Sequence, residues 1–509
     1  MLALTSFQIL AGSILVAYVS TRYFSRYSRT PLPPGPPGFP FFGNAFNLPK
    51  DSPWIAFAEL GKKWGDLVSI TTFGRTMIIV NAAKIAEDLL EAKGGIFSDR
   101  PVIQMGGELV GFRNVLTLCQ YGDRVRQERK LFHQLFGTSK AIERFLPLIT
   151  SEIHHFLRYV MLNPQGAVDG IQRTTGAVVL RIAYGYHLAD GQDPFLELFN
   201  LRANIFARTT QPTAFLVNVL PILRYRPGWL PGGRSRTMAK EWAKIIQNTV
   251  DVPHEYVKNQ MASGTADNSF TSTLLQERPE DDHLIKWAAS AIQAGGSSTT
   301  SSQLEAFFLA MCLYPEVQAE AQRELDRVVG ADRLPNISDR RHLPYLNALC
   351  KEVLRWHNAV PTGIPHRTRE DFIYQRKGAQ PVLIPKDSLI IPNIWNMTHD
   401  SKNYSDPMRF DPSRFIAAET KHAEEDPARI CFGYGRRICP GRLLADTTIF
   451  LTCGMVLAVV NVNKIYRDGV AVQPRLGQTT GTVSQTFPFQ CVLKPRTALA
   501  ASLIGELTQ

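Results

Sequence analysis

The stretch Phe432-Gly433-Tyr434-Gly435-Arg436-Arg437-Ile438-Cys439-Pro440-Gly441 decides how this 509-residue chain is read. The segment after it, RLLADTTIFLTCGMVLAVV (442–460), is apolar and free of proline, which predicts a buried helix. Cys439 then stands just before a helix N-terminus, whose partial positive charge lowers a thiol's pKa and favours the thiolate. Gly433, Gly435 and Gly441 let the backbone approach a flat ligand closely. Exposed N–H groups there can hydrogen-bond the sulfur. A glycine-rich turn with an incidental cysteine is the plain alternative, but the full spacing FxxGxRxCxG is far more specific than a lone GxG.

That spacing resembles the haem-binding signature of the cytochrome P450 family, and Cys439 lies seventy residues from the C-terminus, where the family has it. The resemblance implies a single catalytic domain of the cytochrome P450 fold, mainly α with a smaller β region. It makes Cys439 the axial thiolate on the iron of haem b, with Phe432 and Arg437 in the cofactor site and Arg437 within reach of a porphyrin propionate.

Other motifs extend it. In PYLNALCKEVLRWH (344–357), Glu352 and Arg355 share one helix face at i and i+3. As a surface ion pair they would contribute little. They also match the family's ExxR, and Phe410-Asp411-Pro412-Ser413-Arg414-Phe415 resembles its PERF segment. By carry-over Arg414 completes a buried Glu–Arg–Arg cluster whose role is structural. His366 matches a propionate-binding position. Tyr121 to Lys130 resembles the C-helix motif WxxxR, making Arg129 a propionate arginine. Val125 stands where the family usually has Trp, which removes one donor. The segments SDRP (98–101), His399-Asp400 and FFLAM (307–311) look familiar from fungal microsomal members. The likeness covers the chain from about residue 30.

Residues 283–314 lack proline, Asp281 or Asp282 can cap their start, and Pro315 ends the run, so one long helix is expected. Gly295-Gly296 in its middle each cost about 1 kcal/mol against Ala. They serve either close helix packing or, by the resemblance, a local bulge that makes room for dioxygen. The family pattern (A/G)Gx(D/E)T(T/S) reads here Gly295-Gly296-Ser297-Ser298-Thr299-Thr300, so Thr299 matches and Ser298 replaces the acid. A serine hydroxyl can orient a water but cannot relay a free proton as a tuned carboxylate does. Thr299 is therefore expected to carry proton delivery with ordered water, and Ser298 to orient the chain.

The resemblance implies insertion of one oxygen atom into a C–H or C=C bond of a lipophilic small molecule, such as a terpenoid or aromatic secondary metabolite. Electrons would come from NADPH through the flavins of a separate NADPH–cytochrome P450 reductase, because no GxGxxG fingerprint or flavin domain is visible. The basic face of Arg126, Lys130, Arg436 and Arg442 is the expected dock. The pocket is expected from 101–119, 203–220, 287–298, 360–364 and 480–485, with Phe112, Phe206, Phe215 and Ile364. Two rival readings are a reductase-independent haem-thiolate isomerase or dehydratase and a non-catalytic haem-binding protein.

Composition narrows the setting. Residues 2–21 carry no charged side chain and, as a helix, would rise about 30 Å. Arg22, Arg26 and Arg29 follow, Tyr18, Tyr23 and Phe24 suit the interface, and basic residues after the apolar run favour an uncleaved signal-anchor. The expectation is a single-pass protein of the endoplasmic reticulum membrane facing the cytosol, with a basic, Pro-rich linker over 22–40 and a catalytic domain over 41–509. Residues 31–40 hold six prolines and predict a stiff spacer. The segment 221–233 is expected to dip into the lipid surface. The formal charge of +11 suits lipid headgroups or an acidic partner; without zinc-finger spacing or a Lys/Arg run, nucleic acid is not expected. Seven scattered cysteines without a CxxC pair argue against a disulfide framework.

Overall fold

The computed structural model describes residues 30–49, 51–189, 191–210, 215–219, 221–225, 234–376, 378–419 and 422–507. The expected anchor at 2–21, residues 22–29 of the linker and residues 226–233 of the lipid-dipping segment lie outside the described residues.

The architecture is mainly helical with a small sheet region. The elements that build the site are α1 (Asp123–Phe136), α2 (Leu146–Leu162), α3 (Ala167–Tyr184), α4 (Pro194–Thr210), α5 (Arg234–Ala262), α6 (Asp282–Leu313), α7 (Pro315–Val328), α8 (Pro344–Trp356) and α9 (Arg442–Val459). The core forms where α6, α8 and α9 meet α2 and α3, around Phe156, Phe307, Phe308 and Phe450. From Thr300 to Cys312 every residue of α6 is buried, so this half is covered all round. Tyr314 closes α6, and Pro315 opens α7 in the first turn, where its missing N–H is not needed. Asp281 occupies the N-cap of α6 but makes no side-chain capping bond. Asp282 pairs with His254 at 2.8 Å instead.

The eighteen residues of α9 are long and hydrophobic enough in sum to cross a membrane, yet most of them are buried inside the domain. The helix predicted after the cysteine loop is therefore a core helix.

The main sheet has β1 (Leu67–Thr72) and β2 (Arg75–Val80), then β3 (His366–Arg367), with β4 (Phe372–Tyr374) and β5 (Val382–Ile384) forming a separate hairpin, and β6 (Leu389–Pro392) completing the order β1-β2-β6-β3. The pair β2–β6 is parallel with Ile78 opposite Ile390. Two more strands, β7 (Val460–Lys464) and β8 (Cys491–Pro495), pair antiparallel beyond α9.

The proline-rich stretch differs from a free spacer. The Pro31 carbonyl accepts from Leu383 N of β5 at 2.7 Å, and the Pro34 carbonyl from Ser69 N of β1 at 2.9 Å. Asn44 Nδ2 donates to the Pro36 and Pro37 carbonyls, each at 3.2 Å. Proline has no N–H to offer, but its carbonyls are good acceptors, and the sheet edge supplies donors. The stretch from Pro31 to Pro37 is thus bonded to the sheet and to Asn44, ahead of the expected domain start at residue 41.

Candidate functional site

Cys439 sits between a tight loop and α9. The loop closes on itself through Cys439 N, which donates to the Phe432 carbonyl at 2.8 Å. Gly435 has φ +54, and a Cβ there would lie 2.3 Å from the Leu90 carbonyl, so its lack of a side chain seats the loop on neighbouring backbone. Gly433, at φ +75, faces open space. Of the glycines expected to admit a flat ligand, Gly433 and Gly441 leave room in front of them, and Gly435 serves the packing behind.

The cysteine loop forms one wall of an apolar cavity of about 530 Å³. Part of the Cys439 surface faces this space. Burial pushes the thiol up, while the Gly441 N–H, Arg129 and Arg442 pull it down. The backbone at the helix end thus pulls toward the thiolate, as expected, and burial works against it. A cation bonded to the sulfur would reverse that balance.

Around the same wall stand Arg100, Arg129, Arg437 and His366, all lining the cavity. Arg129 Nη1 donates to the Ile438 carbonyl at 2.8 Å, next to the cysteine. Arg437 donates to the carbonyls of Ser98 (2.8 Å), Leu116 (3.2 Å) and Cys119 (2.6 Å). Arg100 donates to those of Ile364 (2.6 Å) and Pro365 (2.9 Å), and its Nε is buried without a partner. His366 is buried and donates Nδ1–H to the Phe97 carbonyl at 2.6 Å. Burial holds its imidazole well below the ordinary range, and Arg100 and Arg437 add to that. Burial lowers Arg437 to about 10.

Among the described residues no carboxylate is ion-paired with Arg100, Arg129 or Arg437. Asp99 is taken by Arg369 at 3.0 Å and Arg367 at 3.4 Å, and Glu128 by Arg124 at 2.8 Å. Three neighbouring cations without anions are costly unless a ligand brings negative charge. A flat group with two carboxylates and a metal open to a thiolate meets each demand, and haem is such a group. The residues present therefore fit haem: Cys439 for the iron, and Arg100, Arg129 and Arg437 for the carboxylates, with His366, whose Nδ1–H is spent on Phe97, able to add a donor only when a bound carboxylate draws a second proton onto its ring. Arg100 was not singled out from sequence, although it lies within the SDRP segment. Val125, where the family usually has Trp, is a fully buried apolar residue.

Across the cavity runs α6. The helix continues as α-helix through Gly295-Gly296, so the expected bulge is absent. The two glycines divide the two readings between them. A Cβ on Gly296 would lie 2.5 Å from Val179 Cγ1 of α3, so this glycine serves close packing. A Cβ on Gly295 would meet nothing within 4 Å, so this one leaves space in the cavity. Thr299 Oγ1 donates to the Gly295 carbonyl at 2.6 Å. Its lone pairs stay available to accept. Ser298 lines the cavity beside it. Phe112, Phe206 and Ile364 also line the cavity, with the two rings edge to face at 5.1 Å. Phe215 does not; it packs on Trp242 at 6.1 Å. Leu196 and Phe199 of α4 take part as well, which extends the wall N-terminally from the expected 203–220, where Ala203, Phe206 and Ala207 line it.

Behind the loop lies a second charged group. Glu352, Arg355 and Arg414 are almost fully buried. Glu352 accepts from Arg355 Nε at 2.7 Å and Nη2 at 2.8 Å, from Arg414 Nε at 3.2 Å, and from Asp411 N at 2.8 Å. Arg355 also reaches the carbonyls of Thr398 and Pro407 at 2.9 and 2.8 Å. The expected triad has a fourth member: Glu424 binds Arg414 Nη1 at 2.9 Å. The group is thus two acids and two bases, and it ties α8 to the segment leading into the cysteine loop.

The comparisons agree with this geometry. The family model described as cytochrome P450 matches residues 33–478. The chain is 46% identical over 500 residues to cytochrome P450 monooxygenase 208 of Postia placenta, covering 98% of this chain and 97% of that protein. It is 41% identical over 498 residues to cytochrome P450 monooxygenase claR of Ampulloclitocybe clavipes, covering 97% and 91%. With a family match over most of its length and relatives of this similarity, the chain belongs to the cytochrome P450 family and is an oxidoreductase of its monooxygenase kind.

Proposed function

We propose that the protein inserts one atom of dioxygen into a lipophilic small molecule, by hydroxylation or epoxidation, with electrons from NADPH delivered by a separate flavoprotein reductase. The observation that carries the reading is one apolar cavity with Cys439 and its cation ring on one wall and Gly295 and Thr299 on the other. When bound, the haem supplies the oxidising chemistry. The chain's own residues do the rest. Phe112, Phe206 and Ile364 hold an apolar substrate and exclude water. Gly295 leaves room beside Thr299. Thr299 Oγ1, anchored by its own donated bond, can accept a hydrogen bond from a water and so hold that water where it can deliver a proton into the cavity. Ser298 helps to align that water.

The reductase reading rests on the exposed face of Arg126, Lys130, Arg436 and Arg442. At its centre is Tyr121, with the guanidiniums of Arg436, Arg437, Arg369 and Arg126 at 5.3, 5.6, 5.7 and 5.9 Å from its ring. The charge-free stretch at 2–21 followed by Arg22, Arg26 and Arg29 supports an anchor in the endoplasmic reticulum membrane with the domain in the cytosol.

The test is incubation of membranes carrying the protein and a reductase with a library of terpenoid and aromatic metabolites. Products that gain one oxygen, formed only with NADPH, are expected. A rearranged or dehydrated product formed without NADPH would instead establish the isomerase or dehydratase reading, and haem binding without turnover the carrier reading.

A further inference from the structure

The buried stripe of α4 runs Phe195, Phe199, Arg202, Ile205 and Thr209, the spacing of one helix face turned to the interior. An arginine in the middle of such a face breaks the pattern that the rest of the helix obeys. Arg202 is 3% exposed and lines the cavity. Its Nη1 donates to Ser290 Oγ of α6 at 2.7 Å, and its Nη2 is buried with no partner. Among the described residues no carboxylate pairs with it. The group that acts on it electrostatically is Tyr184, itself buried with an unbonded hydroxyl. Burial lowers the guanidinium to about 10, so at neutral pH it stays charged. One helical turn from Ser290, Gln293 lines the same cavity with its Oε1 buried and unbonded, and a half-turn of that amide presents its NH2 as a donor in the same place.

A buried, uncompensated guanidinium with a donor left over is a site that lacks its anion. We infer that the substrate carries a carboxylate, held by Arg202 with Gln293 beside it, and is oxidised at a carbon remote from that carboxylate. The remoteness follows from α6. Ser290 and Gln293 precede Thr299 by nine and six residues, which is about 13 and 9 Å along the helix axis at its ordinary rise. The acid end is thus fixed on the order of 10 Å from the reacting end, and the apolar body between them lies along Phe199, Phe206 and Ala294. The substrate class is a long-chain or polycyclic carboxylic acid. This rests on the monooxygenase reading and specifies its substrate.

The experiment uses the full-length, haem-loaded protein and two probes, hexadecanoic acid and abietic acid, each against its own methyl ester. Binding is measured by the substrate-induced visible difference spectrum and by the shift in thermal unfolding. At least one acid is expected to bind ten- to a hundredfold more tightly than its ester, the gain of a charge-assisted bond pair. In Arg202→Gln that ratio should fall to near one, and in Arg202→Lys it should be partly kept. The ferrous carbon-monoxide spectrum of each variant verifies that haem is loaded. Equal binding of acid and ester in the wild type, or a preference unchanged in Arg202→Gln, overturns the inference; a fall in unfolding temperature with an unchanged ratio identifies a purely structural arginine. Neither result touches the monooxygenase reading, which fails separately if NADPH-dependent oxygenation is never seen.

Discussion

Two clusters of arginines flank the cysteine loop, and they are built on opposite principles. Behind it, Arg355 and Arg414 are met by Glu352 and Glu424 and by a ring of carbonyls. In front of it, Arg100, Arg129 and Arg437 are met by carbonyls and, at Arg437, by the Tyr121 ring, but by no acid, and Arg100 keeps an unbonded Nε. A buried charge group that is satisfied within the chain holds a shape. One left unsatisfied has a place reserved for something the chain does not encode. The same contrast sets Arg202 apart from the apolar face around it.

Mutations should separate the two clusters by sign as well as by size. The largest effect belongs to the residue between them. Cys439→Ser should abolish the thiolate-type spectrum of the ferrous carbon-monoxide complex outright, and persistence of that spectrum would mean another ligand. Next, Glu352→Gln leaves two buried guanidiniums facing one acid. It should destabilise the haem-free and haem-loaded protein alike by about 3–5 kcal/mol, read from denaturant unfolding of both forms.

Arg100→Leu should act differently. It removes an unpaired buried cation, so the haem-free protein should unfold no more easily than wild type. Haem should nevertheless dissociate more readily, by about 1–3 kcal/mol of affinity, measured by transfer to apomyoglobin. Equal destabilisation of both forms would erase the distinction drawn above. A smaller change is expected from Thr299→Ala. Product per NADPH should drop several-fold as reducing equivalents go to peroxide and water, while the carbon-monoxide spectrum stays intact. Unaltered coupling would remove Thr299 from the proton route and favour the isomerase. Smallest is Ser298→Asp, which should keep or modestly raise coupling if a conventional site has lost its acid. A clear fall in the native reaction would show a site specialised around serine.

Much of this was legible in the chain because it is local. The loop at 432–441, the i, i+3 pair Glu352 and Arg355, and the proline that ends α6 are fixed by spacing within one element. What sequence could not supply depends on distant segments meeting. Glu424 lies in an irregular stretch with no pattern to mark it, and only the folded chain brings it to Arg414. Arg100 is drawn to the cavity by the carbonyls of Ile364 and Pro365. Arg202 reads in sequence as an ordinary solvated charge on a helix. Gly295 and Gly296 are identical in sequence, and only Val179 tells them apart. The helix-end argument for Cys439 named a real term but omitted the desolvation that exceeds it.

The hydrogen bonds from the sheet to the proline stretch set the length of a leash. Nineteen residues, 22–40, would let the domain stray up to about 65 Å from an anchor that ends at residue 21, counting roughly 3.4 Å for each extended residue. With Pro31 already tied to Leu383, residues 22–30 are all that separate such an anchor from the sheet, and the limit falls to about 30 Å even for a fully extended chain. If residues 2–21 span a bilayer, a leash of that length keeps the catalytic domain close to the membrane surface, within reach of a lipophilic substrate dissolved in the lipid.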